Sequence, residues 1–201
     1  WNIGICLMKY VYKILNQMNS YLERTIERPV IVIGSGSHAR VLIATLKAIG
    51  AEIIGLTDQR EIKAGHTSEI DFLGTDEAIL GYPSDEVELV NGIGSLPGDS
   101  NRHAVAKRMR ETGYRFSIVV HPSVILVENC QIEEGAQIMA GVVLQSGVSI
   151  GKDTVINTAS TIDHDCVIGD SVWLSPGVTL CGSVNVGTRS YIGAGSTIIQ
   201  E

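Results

Sequence analysis

Positive charge is in short supply. Fifteen Lys and Arg face 22 Asp and Glu, for a net charge of −7, which argues against a nucleic acid or an anionic membrane as partner. A six-residue apolar patch, Ile3 to Met8, is too short to span a bilayer and lacks the layout of a signal peptide. Cysteine is sparse and unorganised. Cys6, Cys130, Cys166 and Cys181 show no metal-ligand spacing, so no zinc module is expected and a cytoplasmic location is the default. Only 5% of residues are aromatic while 22 are Gly, a balance suited to repeated tight corners.

What is abundant is order at a period of six. From Val120 to Ile198 every sixth residue is Ile, Leu or Val, fourteen in a row, although only 59 of 201 residues are of these types. Two residues before most of them the side chain is small or β-branched, as in Cys130, Ala136, Val142, Val148, Thr154, Ser160, Cys166, Val172, Val178, Val184, Ser190 and Ser196. Helical periodicity and simple alternation both fail here. A small-x-aliphatic unit, often followed by Gly (Gly151, Gly169, Gly187, Gly193), reads as one short strand and one corner, with Gly supplying the positive φ. Three such faces make one coil of a parallel β-helix, so that residues i and i+18 are expected to stack about 4.8 Å apart.

Most of the repeat is architecture, but Asn157 to Cys166 carries chemistry. His164 lies off the interior phase, between Asp163 and Asp165. A neighbouring carboxylate orients an imidazole, fixes its tautomer and holds its pKa near working pH, as a general base requires; solvated surface is the other reading of such a His. One coil later stands Gly182, whose N–H is expected beside His164 as a donor to an oxyanion.

The amino-terminal half follows other rules. Val30 to Ile33 reads as a buried parallel strand, followed by Gly34-Ser35-Gly36-Ser37-His38-Ala39 and a helical pattern through Val41, Leu42, Leu46 and Ile49. A strand, a glycine turn and a helix start form an anion site, with Ala39 in place of the third Gly. Glu52 to Leu56 reads as a second strand ending at Asp58, with a further strand near Glu88 to Ile93 and a helix near Asn101 to Thr112. The fingerprint alone also suits a nicotinamide cofactor, but about 90 residues hold only one half of a dinucleotide fold. His38 contacts a ligand or caps the helix start.

Together, Val30 to Arg40 and Ile156 to Asp170 resemble the hexapeptide-repeat acyltransferases, in particular bacterial sugar O-acyltransferases of the sialic-acid O-acetyltransferase type and their relatives, the UDP-amino-sugar N-acetyltransferases. The resemblance covers residues 30 to 201. It implies an α/β amino-terminal half-Rossmann (βαβ) domain over 30–116, after an extension over 1–29, and a left-handed parallel β-helix over 117–201. It implies acetyl-CoA as co-substrate, no metal, and a homotrimer whose site is shared between adjacent β-helices. His164 then matches the general base, Asp165 the acidic residue supporting it, and Gly182 the oxyanion donor. Asn157 matches a polar residue near the sugar, and Ala194 a position along the pantetheine arm of CoA. The glycine turn (Gly34, Gly36, Ser37) is implied to bind the nucleotide of the sugar, with His38 and Asp58 as contacts. Many relatives carry a second His where this chain has Trp173, which packs against CoA or the acyl group, alters substrate choice, weakens activity, or sits at a subunit interface.

Weighed against a sugar acetyltransferase stand a β-helix that binds a sugar nucleotide without catalysis, and a γ-type carbonic anhydrase. The latter needs three zinc-binding His residues, and the repeats offer only His121 and His164. His66, His103 and His121 are assigned no role. Both ends read as incomplete: Trp1 is no initiator, Met8 and Met18 are candidate starts, and the last coil stops partway. Neither the sugar nor the choice of amine or hydroxyl acceptor is legible.

Overall fold

The computed structural model of the chain describes residues 26–59 and 70–200. Cys6, Met8, Met18 and His66 lie outside the described residues.

The amino-terminal half is a parallel sheet of β1 (Val30–Ile33), β2 (Ile53–Thr57), β3 (Phe72–Gly74) and β4 (Glu88–Asn91), in the order β3-β2-β1-β4. Alternation along β1 divides the core. Val30 and Val32 pack with Ala39, Leu42 and Leu46 of helix α1 (Ser37–Ala48), whereas Ile31 and Ile33 pack with Val105, Ala106 and Met109 of helix α2 (Asn101–Glu111). A sheet covered on both faces accounts for the unbroken apolar run of β1. The expected strands and helix are present with ends shifted by one or two residues; β3 and the 3₁₀ turn Asp76–Gly81 were not anticipated, since three residues are too few to carry a pattern.

From Val119–Val120 to Thr197–Ile198, fourteen two-residue strands recur every six residues. They stack as three parallel sheets with partners eighteen residues apart, as in Thr161↔Thr179 and Ile162↔Leu180. The result is a three-faced prism filled by the sixth-residue aliphatics and the small residues two before them. Several small residues are polar because each closes a backbone valence fifteen residues on: Thr154 Oγ1 donates to Gly169 O at 2.7 Å and Cys166 Sγ to Cys181 O at 3.1 Å.

The corners correct one expectation. Positive φ falls at every sixth residue from Asn129 to Gly195, at Asp153, Ala159, Asp165, Ser171 and Arg189 among others, and not at Gly151, Gly169, Gly187 or Gly193. Room is what Gly151 and Gly169 supply. A Cβ at Gly169 would lie 2.7 Å from Thr188 N, and one at Gly151 would lie 2.6 Å from Gly169 C, so at these two glycines it is the next coil, not the torsion, that excludes a side chain.

The outward positions of the first face are Val119, Gln137, Val155, Trp173 and Tyr191. Val119 and Met139 share a core with α1, so this face carries the amino-terminal half. Arg110 of α2 ties the halves further, with Asp153 at 2.6 Å and Glu134 at 2.8 Å. The second face, with Ile125, Val143, Thr161, Thr179 and Thr197 outward, is a β-branched stripe on which Ile125 is 58% exposed.

Candidate active site

His164 occupies the corner between the second and third faces. Its Nδ1 lies 3.0 Å from Asp165 Oδ2, and its backbone N–H donates to Asp163 Oδ1 at 2.8 Å. Since an ionised carboxylate only accepts, Nδ1 carries the hydrogen and Nε2 is left as the basic nitrogen. The Asp165 hydrogen bond, then the charge of Asp163, raise the imidazole pKa above its ordinary value.

Two glycines fix this pair from the neighbouring coils. A Cβ on Gly182 would lie 2.5 Å from His164 Nε2 and 2.6 Å from Cε1, and one on Gly147 would lie 2.5 Å from Asp165 Oδ1. The ring therefore rests against the bare Cα of Gly182, as counting eighteen residues predicts. Ser183 N–H donates to His164 O at 2.8 Å, while the N–H of Gly182 makes no hydrogen bond among the described residues. A basic nitrogen and an unpaired amide donor thus belong to adjacent rungs of one corner.

Other expected residues fall elsewhere. Asn157 begins the corner between the first and second faces, where its Nδ2 donates to Leu174 O at 2.7 Å; Ala194 lies exposed two coils on along that same corner. At the glycine turn, Gly34 has φ 96° and a Cβ there would meet Gly92 C at 3.3 Å, so both torsion and space require glycine. Asp58 holds the turn: its Oδ2 accepts from Ser35 N at 2.8 Å and from Ser35 Oγ at 2.6 Å. Gly36 is the N-cap of α1 and no side chain caps the helix, leaving the first amides, including those of Ser37 and His38, open to an anion.

His38 does not cap the helix. Its Nε2 lies 2.8 Å from Gln137 Oε1 of the prism, and its ring is 4.9 Å from that of Trp173. Trp173 in turn lies 5.8 Å from the Arg102 guanidinium. Within one chain, then, Trp173 belongs to the seam between the halves, on the face opposite the corner of His164. Gln137 and Arg102 were missed from sequence; the only signal was a Gln and an Arg whose burial depends on how the halves meet. His103 Nδ1 lies 3.4 Å from Ser171 Oγ, and His121 Nδ1 pairs with Ser123 Oγ at 2.8 Å. Among the described residues no group of three or more His, Cys, Asp or Glu could hold a metal, and no helix is long and apolar enough to cross a membrane.

Family models match both halves: the PglD N-terminal domain over residues 29–109, and the bacterial transferase hexapeptide (six repeats) over 129–164 and 165–200. Among solved structures, PerB from Caulobacter crescentus in complex with CoA and GDP-perosamine is 30% identical, with a TM-score of 0.77 over 86% of this chain and 81% of that one. The acetyltransferase domain of PglB from Neisseria gonorrhoeae in complex with acetyl coenzyme A is 25% identical, with a TM-score of 0.75 over 85% of this chain and 81% of that one. WeeI from Acinetobacter baumannii, 20% identical with a TM-score of 0.73 over 85% of this chain and 80% of that one, shares the fold. No curated protein matches the chain. On its sequence, its prism and its relatives, the chain belongs to the hexapeptide-repeat sugar acetyltransferases, acyltransferases built as an α/β domain on a left-handed β-helix.

Proposed function

We propose that the chain transfers the acetyl group of acetyl-CoA to an amine or hydroxyl of a nucleotide-linked or sialic-acid-type sugar, with His164 as general base. The observation that carries the reading is the His164–Asp165 pair stacked on Gly182. His164 Nε2 removes the proton as the sugar nitrogen or oxygen bonds to the acetyl carbonyl carbon. Asp165 stabilises the imidazolium, and the Gly182 N–H donates to the oxyanion. The C–S bond then breaks and the imidazolium returns its proton to the departing thiolate.

The glycine turn (Gly34, Gly36, Ser37), with His38 and with Asp58 as its brace, takes the nucleotide; the GDP-sugar of the Caulobacter relative supports a nucleotide-linked acceptor. Turn and base lie on opposite sides of one prism, so a complete site needs a second copy. The bare second face with Ile125 and Val143 supports a homotrimer in which one copy's His164 corner meets its neighbour, with Asn157 near the sugar and Ala194 along CoA. Trp173 stands where many relatives carry a second His, but the chemistry needs one base, so His164 is able to act. The thiols of Cys166 and Cys181 fit a reducing cytoplasm.

The test is thiol release from acetyl-CoA with a panel of GDP- and UDP-amino sugars, CMP-sialic acid and free sialic acid. His164→Ala is expected to lower transfer at least about a hundredfold, the scale of losing a general base, with the fold retained. An unaltered rate removes His164 from the mechanism.

A further inference from the structure

The seam contains a closed circuit of contacts that dictates where one proton sits. Asn91 O at the end of β4 accepts from Arg102 Nη1 at 2.7 Å and from Gln137 Nε2 at 2.9 Å. Arg102 Nη1 also donates to Ile93 O at 2.8 Å, and Asn91 Nδ2 donates back to Arg102 O at 3.0 Å. A carbonyl only accepts, so the Gln137 amide must turn its NH₂ toward Asn91 and its Oε1 toward His38. Oε1 only accepts as well. The 2.8 Å contact with His38 Nε2 therefore requires the hydrogen on Nε2. A second hydrogen, on Nδ1, would place an imidazolium beside the Arg102 guanidinium, since both groups pack on Trp173.

We infer that Gln137 is a positioning residue that locks His38 as the neutral Nε2–H tautomer, presenting Nδ1 as a hydrogen-bond acceptor for a hydroxyl or amine hydrogen of the sugar-nucleotide substrate. The inference rests on the reading of His38 as a substrate contact. Nδ1 makes no hydrogen bond among the described residues. Among the described residues Arg102 of α2 is the charged group that acts on the His38 ring; Arg40, on α1 itself, turns to Ser37 Oγ at 3.3 Å, and Gln137, Trp173 and Asn91 bring no charge. Burial first, then Arg102, lower the His38 pKa to about 4, against the opposing pull of Gln137. The ring is therefore neutral at working pH.

Long-range ¹⁵N–¹H spectra of the full chain without substrate read the tautomer directly. A pyrrole-type Nε2 and a pyridine-type Nδ1 at pH 7 are expected; an Nδ1–H ring, fast averaging or an imidazolium overturns the lock. In Gln137→Leu the two forms should average, with KM for the sugar nucleotide raised about tenfold, the scale of one hydrogen bond, and kcat kept within about twofold. Gln137→Glu keeps the acceptor, so its KM should approach the parent value at alkaline pH and rise as His38 takes a second proton. A changed tautomer with unchanged KM overturns the acceptor role and removes His38 from the substrate site, while transfer by His164, tested by its own variant, stands apart.

Discussion

Gly182→Ala isolates the geometry of the base from the stability of the prism. A methyl group there would lie 2.5 Å from His164 Nε2, 2.6 Å from Cε1 and 3.1 Å from Cδ2, about 1 Å inside ordinary carbon contact. The backbone offers no relief, because Ser183 N–H is bonded to His164 O and the flanking Leu180 is paired with Ile162. The imidazole is free to give way: its side chain is 59% exposed and its one tether is Asp165. The ring therefore swings off the corner into solvent while the coil stays intact. Gly182 is not in the left-handed region, so alanine carries no torsional strain, and the unfolded chain loses entropy worth about 0.5 kcal/mol. Melting temperature should hold or rise slightly. A displacement of about 1 Å at a reacting group costs about a hundredfold, and single-turnover thiol release should fall by that factor. Gly187→Ala is the control, since its Cβ would meet nothing nearer than Ser190 Oγ at 3.8 Å; it should transfer normally. A Gly182→Ala protein that melts normally and transfers at the parent rate refutes the stacked arrangement as the working one.

Asp165→Asn suits the φ of 58° at that corner but weakens the Asp165 hydrogen bond that, ahead of the charge of Asp163, raises the His164 pKa. The parent base is protonated, and idle, below its raised pKa; the acid limb of kcat/KM should therefore move to lower pH in the variant, and an unmoved limb would detach Asp165 from the base. Arg110→Ala leaves Asp153 buried without its partner at 2.6 Å and should lower stability by about 2 kcal/mol, discounted for the partial exposure of Arg110; urea midpoints check it, and a change under about 0.5 kcal/mol would mean the seam does not depend on this pair. Ile125→Glu with Val143→Glu on the second face should yield monomers that have lost transfer yet still unfold cooperatively, at a melting temperature lowered by the lost association. Sedimentation of the parent as a monomer at micromolar concentration would end the shared-site reading.

The prism and its corner were legible because a constraint repeated fourteen times leaves little freedom: once the interior phase is set, adding eighteen to His164 gives its neighbour. Corner glycines were misread for a related reason. Gly151 and Gly169 follow an aliphatic, as turn glycines do, yet what they answer to is Asp170 and Thr188 on the coil above, which no local pattern displays. The glycine turn and the carboxylate of Asp58 were visible as a strand–turn–helix motif, but the bond from Asp58 to Ser35 was not, because nothing in the motif says whether an acid faces a ligand or its own loop. Gln137 and Arg102 were invisible. Gln137 stands at an outward position of the repeat like the exposed Gln131, and only the docking of α1 over that face makes it interior.

Because each rung touches only the one before and the one after, every group that steers the imidazole belongs to three successive windings, those of Gly147, Asp165 and Gly182. Splicing out or duplicating one full winding beyond them would change the height of the column without moving the base, whereas losing a single residue between Gly147 and Gly182 would rotate every later side chain out of phase. Tolerance to length change should therefore come in steps of eighteen residues, a rule that deletion libraries can read directly.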